Sequence, residues 1–138
     1  MKYRSPFFII KNRKVMETTK KFKIGQKEFI AKFPNVGQML DMESLKQALT
    51  NNRYGVMAAS GIRSMYKALD TVDAIAFLQV CVPDVAKYFN IESYIALSQD
   101  KIKVYVDAYN TDIKPWFDKL MQELENPMSD GDGNFEEK

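Results

Sequence analysis

Histidine is absent from all 138 residues, and cysteine occurs once, as Cys81. Without imidazole there is no Ser-His-Asp or Cys-His nucleophile and no zinc site that needs a histidine ligand, and one thiol cannot supply the rest. A lone cysteine builds no disulfide scaffold either. Lying inside the most apolar stretch, it reads as a small hydrophobic side chain and points to an intracellular setting. The six glycines form no run that could cradle a phosphate. Long apolar runs are missing too: segment 75–82 contains Gln79 and is far shorter than the roughly 20 residues that span a bilayer. The N-terminal cluster Phe7-Phe8-Ile9-Ile10 is followed at once by Lys11, Arg13 and Lys14, unlike a signal peptide. The expectation is a protein without catalysis, cofactor, metal or membrane span.

What is present is unevenly distributed. Residues 1–34 hold ten Lys or Arg against two Glu, while residues 35–138 hold ten Lys or Arg against sixteen Asp or Glu, so a total of +2 hides a polar molecule. The basic part has the period of strands. Met16, Thr18, Lys20, Phe22 and Ile24 share one face, Gly25-Gln26 offers a turn, and Phe29, Ala31 and Phe33 share a face beyond it. This predicts a hairpin over about 18–33, with a further strand over 6–10 as an alternative three-stranded form.

After Pro34 the apolar period lengthens to that of a helix. Asn35 and Gln38 have capping-box spacing ahead of Val36, Met39, Leu40, Met42, Leu45 and Leu49, which predicts a helix over about 36–50 closed by Asn51-Asn52. A second helical region covers 53–82, broken near Ser60-Gly61 or near Asp70, and its apolar end belongs at the centre of a bundle. Pro83 starts a short segment to Phe89, and Asn90 or Ser93 begins another piece. Ser98 is the expected cap of a long terminal helix whose stripe of Ile102, Tyr105, Tyr109, Ile113, Trp116 and Leu120 continues through Pro115. A proline inside a helix costs about 3 kcal/mol, so this stripe implies a kinked helix held by packing, or two helices sharing one groove. The fold class is therefore α+β, a small antiparallel sheet followed by four or five helices in one domain over 1–126, with 127–138 a flexible acidic tail.

Several features carry two readings. Lys20, Lys21, Lys23, Lys27 and Lys32 interleaved with phenylalanines suit nucleic-acid phosphates and stacked bases, but equally an ordinary strand with one buried face and lysine-guarded edges. The opposed charges also leave room for self-association. The eight methionines include several in helical segments, where thioethers line adaptable grooves or fill cores. Trp116 has core spacing, and its indole N–H needs an acceptor. Asp130-Gly131-Asp132-Gly133-Asn134 imitates a calcium loop, but Phe135 stands where glycine is required. The carboxylates Asp70 and Asp73, or Asp107 and Asp112, are better explained as caps and solvated faces than as a catalytic pair. The partner-binding surface is assigned to Met39, Met42, Tyr109, Ile113 and Trp116.

Five segments taken in order carry a resemblance: Lys27-Glu-Phe-Ile-Ala-Lys-Phe-Pro34, Val36-Gly-Gln-Met-Leu-Asp-Met-Glu-Ser-Leu45, Ala68-Leu-Asp-Thr-Val-Asp-Ala-Ile-Ala76, Val82-Pro-Asp-Val85, and Tyr109 followed by Ile113-Lys-Pro-Trp116. Over about residues 18–120 the chain resembles the tail assembly chaperones of long-tailed, siphovirus-type bacteriophages. The resemblance implies a small noncatalytic protein of the host cytoplasm that binds the tape measure protein, keeps it soluble until tail tube protein polymerises around it, and is not retained in the virion. It also implies a frameshifted longer form in some members, with the acidic tail marking the end of the shorter one. The alternatives are a nucleic-acid-binding module using the hairpin lysines and a structural virion component such as a connector or capsid accessory protein.

Overall fold

The computed structural model describes residues 17–125. The strand expected over 6–10 and the acidic segment 127–138 lie outside the described residues. Strands β1 (Thr19–Ile24) and β2 (Lys27–Lys32) form a two-stranded antiparallel sheet in which Phe22 lies opposite Phe29 and Ile24 opposite Lys27. Gly25, with φ at +63°, occupies the first position of the two-residue turn, a backbone conformation that costs glycine little. Alternation does the rest: Phe22, Ile24, Phe29 and Ala31 are buried, while Lys21, Lys23, Ile30 and Lys32 face outward.

Helix α1 (Val36–Leu49) begins with both halves of its capping box formed: the Gln38 N–H donates to Asn35 Oδ1 at 2.8 Å and the Asn35 N–H to Gln38 Oε1 at 3.0 Å. Asn51 and Asn52, both left-handed at φ of 58° and 64°, close it, since their short amides tolerate that region. A short helix α2 (Tyr54–Ala58) and the long α3 (Arg63–Cys81) follow. The break falls at Ser60-Gly61, where Gly61 has a φ of +73°, and not at Asp70, which lies inside α3. Helix α4 (Pro83–Phe89) carries proline at its first turn, where the missing N–H is not needed, and ends at left-handed Asn90. Asn90 therefore terminates a helix and begins none. After a single tight turn at Tyr94–Ala96, α5 (Gln99–Ala108) starts behind Ser98, whose hydroxyl donates to the Asp100 carboxylate at 2.6 Å and does not cap the backbone.

Pro115 is accommodated by one widened turn. Residues Tyr109–Ile113 form a π-helical segment in which the Lys114 N–H reaches back five residues to the Tyr109 carbonyl, and α6 (Lys114–Glu125) continues from it. Widening the turn relieves the clash of a proline ring with the carbonyl four residues earlier. It also keeps Tyr109, Ile113, Trp116 and Leu120 on the core side, as the unbroken stripe requires. At the centre of the packing lies α3, with Ala74, Ile75, Ala76, Phe77 and Leu78 all buried. Phe77 meets Tyr109, Trp116 and Phe117, with ring centroids 5.8, 6.4 and 5.7 Å away, and one continuous apolar cluster joins hairpin and helices. No helix among the described residues is long and apolar enough to cross a membrane.

Candidate interaction surface

The residues assigned to partner binding lie in or against the core and form no open surface. Met42, Tyr109 and Ile113 are 2%, 4% and 0% exposed, Trp116 is 9% exposed, and half-buried Met39 packs against the same core. Met42 Sδ lies 3.6 Å from Cys81 Sγ. The Trp116 ring stands edge-on to Phe33 and Phe77, and its indole N–H donates to the Glu17 carbonyl at 2.8 Å, which supplies the acceptor a buried tryptophan needs. A core stripe and a groove-lining stripe have the same helical period, so period could not separate them.

The hairpin lysines divide between two faces. Lys21, Lys23 and Lys32 share the open face with half-exposed Ile30, whereas Lys20 and Lys27 stand at the ends of the face that packs inward. The Lys27 ammonium lies 5.1 Å from the centre of the Tyr88 ring. The phenylalanines that would stack on bases are used elsewhere: Phe22 and Phe29 are buried, and Phe33 stacks on Phe117. None of the hairpin phenylalanines is open for stacking, and the exposed aromatic beside its lysines is Tyr88.

Exposed large apolar side chains occur on several elements, among them Val36 and Leu40 on α1, Tyr88 on α4, and Ile95 and Val104, and one group lies at the start of α3. Residues 63–68 are all exposed, and the buried stripe begins only at Leu69. At about 1.5 Å per residue these six residues make about 9 Å of helix, an overhang without a buried side chain, although Lys67 lines a cavity with Asp70, Asp100 and Asp107. Spacing places Met65, Tyr66 and Leu69 on one face of α3, with Ile62 at the extended position just before the helix, and Ile62, Met65 and Tyr66 are 50%, 37% and 45% exposed. Short α2 folds back against α3 and buries none of its own residues, with Val56 71% exposed. Arg63 and Lys67, one helical turn apart, run along one side of the stripe, and no acid occurs between Glu43 and Asp70.

No protein-family model, no curated protein and no solved structure matches the chain.

A polar latch roots this overhang in the bundle. The Tyr54 hydroxyl donates to Asp73 Oδ1 at 2.6 Å, while the Lys46 ammonium lies 3.7 Å from the same oxygen, 3.0 Å from Glu43, and 5.2 Å from the Tyr54 ring centre. Asp73 is thus neither a cap nor a solvated side chain, as the sequence had implied, but a half-buried acceptor within α3. Burial raises its carboxyl pKa, and the Tyr54 hydrogen bond and the Lys46 charge only partly oppose this. The Tyr54 phenol is also pushed up, first by burial and then by its bond to Asp73. Asp107 is exposed and pairs with Lys103 at 2.7 Å along α5, whereas Asp70, inside α3, and Asp112 are half-buried. Among the described residues no group of three or more Cys, Asp or Glu side chains is placed to hold a metal ion.

Cys81 behaves as a core thiol. Burial pushes its pKa up from the usual 9.0 to about 11. At pH 8 its thiolate population is expected to be about 100-fold below that of an unperturbed cysteine. Labelling with a thiol-disulfide reagent should accordingly be slower by at least that factor in buffer than in denaturant.

Proposed function

We propose that this chain is a noncatalytic interaction protein that holds a helical partner in solution, the role of a phage tail assembly chaperone acting on a tape measure protein in the host cytoplasm. The observation that carries the reading is the apolar stripe of α3 that continues past the bundle through Ile62, Met65 and Tyr66. Soluble monomers rarely leave a contiguous apolar patch uncovered, and such patches mark contact sites. The resemblance over about residues 18–120 supplies the partner class, since a tape measure is expected to be a long helical protein with exposed apolar stripes. Many copies bound along one such chain would gain avidity, while each weak contact could still be displaced as tube protein arrives.

Co-expression with a tape measure protein of a long-tailed phage tests this. The expected outcome is a clear shift of that protein from the pellet to the supernatant when this chain is present. Equal recovery with and without it would overturn the proposal. The open face of Lys21, Lys23 and Lys32 favours a second reading, nucleic-acid binding, which predicts affinity that falls steeply with salt. A mobility shift with DNA or RNA at low salt, lost on raising the salt, would support that reading; the absence of any shift dismisses it.

A further inference from the structure

Helix α1 is apolar on two sides, and we infer that its outer side docks on the open hairpin face of a second copy of this chain. Met42, Leu45 and Leu49 turn toward α3 and the core, whereas Val36 and Leu40, one helical turn apart, point the other way and are 78% and 66% exposed. A helix with apolar residues on opposite sides is normally covered on both. Beside the ridge of Val36 and Leu40 runs a low track of Gly37, Ser44 and Ala48, all exposed, with Glu43 and Asp41 at the two margins of the face. The one base of α1, Lys46, lies largely buried beside Glu43 and Asp73. The fold itself does not demand glycine at 37, since a methyl group there would meet only Asn35 Oδ1, at an ordinary 3.6 Å.

The hairpin offers the complement. Its open face carries Lys21, Lys23 and Lys32 around Ile30, which is 55% exposed, and one acid, Glu28, shares that face opposite Lys23. The cleft along the β2 side adds Lys27 and Lys87 against Asp84, so it does not cancel the positive charge. Lengths agree as well: six-residue strands run about 20 Å and the 14 residues of α1 about 21 Å. Three residues separate Lys32 from Val36, which keeps their Cα atoms within about 14 Å of each other, so the basic and acidic patches are neighbours. Neighbouring patches of opposite sign suit a two-fold pair in which each copy supplies one helix and one sheet face. A nucleic acid would meet the lysines and leave Val36 and Leu40 uncovered, whereas a second copy covers both patches at once. The contact uses none of Ile62, Met65 and Tyr66, and so goes beyond the proposed function without depending on it.

Sedimentation equilibrium of the full chain tests this. The mass should rise with concentration from the 15.9 kDa of one chain toward twice that value, and the rise should weaken with added salt. Asp41→Lys/Glu43→Lys and Lys21→Glu/Lys23→Glu should each sediment as single chains, because each sets like charges face to face. Mixed together, the two variants should pair again, since the reversed helix of one meets the reversed sheet face of the other. Val36→Ser/Leu40→Ser should stay single at every concentration where the parent pairs. All six positions are exposed, and thermal melting checks that each variant folds. A parent chain that keeps the mass of a single copy throughout would overturn the inference. So would association that persists in both charge variants, or a mixture of the two that fails to pair although the parent does.

Discussion

Trp116→Ala is expected to lower the unfolding free energy by about 3 to 5 kcal/mol, the range for truncating a large aromatic in a core. The ring is 9% exposed, meets Phe33 and Phe77 edge-on, and ties the start of the hairpin to α6 through the bond from its indole to the Glu17 carbonyl. Typical domain stability is about 5 to 15 kcal/mol, so the variant should melt many degrees lower or fail to fold at 37 °C. Urea denaturation followed by circular dichroism measures the loss. A surface anchor would behave otherwise, since truncating it changes stability by about 0.5 kcal/mol or less. A loss that small would return Trp116 to the partner surface.

Lys46→Met should cost about 2 kcal/mol at pH 7, less than the 3 to 5 kcal/mol for breaking a fully buried pair, because water still reaches part of this cluster. The Lys46 and Asp73 side chains are 14% and 17% exposed and 3.7 Å apart. Burial already holds the folded pKa of Asp73 above its unfolded value, and removing the lysine raises it further. The sign follows from proton linkage. Where the folded state binds the proton more tightly, stability falls as pH rises from the unfolded pKa through the folded one, and the penalty vanishes below both. The deficit of Lys46→Met relative to the parent should therefore be largest at neutral pH and shrink as the buffer is taken down through the carboxylate range. Adding Asp73→Asn should restore much of the loss at pH 7, and denaturant titrations at pH 7 and pH 4 read all three proteins. A deficit independent of pH would mean that Lys46 contributes by packing its methylenes and not by its charge.

Local rules made much of the architecture legible. The Asn35 and Gln38 capping box, the turn at Gly25-Gln26, proline at the start of α4 and the change of period after Pro34 each depend on residues a few positions apart, and each is present as expected. The all-round apolar segment within 75–82 lies at the centre for the same reason: a helix without a polar face has nowhere else to go. Pro115 was legible as a conflict between an unbroken stripe and a missing N–H. Its resolution by one widened turn depends on the packing of Tyr109 and Ile113 and could not be read from spacing.

Periodicity reports which residues share a face, not whether that face is covered. Met42, Tyr109, Ile113 and Trp116 have the spacing of a groove and of a core alike, and the tertiary fold decides between them. A signal for the overhang was nonetheless present. Met65 and Tyr66, with Ile62 just before them, lie at the open end of 19-residue α3 in a stretch free of acids. Asp73 was missed for a different reason: its partner Tyr54 is 19 residues away, across a turn, where no local rule reaches.

Removing the open stripe without touching the bundle tests the central claim most directly. The Ile62→Ser/Met65→Ser/Tyr66→Ser variant alters exposed positions only and should melt close to the parent. Co-expressed with the tape measure protein of the proposed function, it should leave that protein in the pellet while the parent chain carries it into the supernatant. If the folded triple variant keeps the partner in solution as well as the parent does, the overhang of α3 is not the surface through which this protein works.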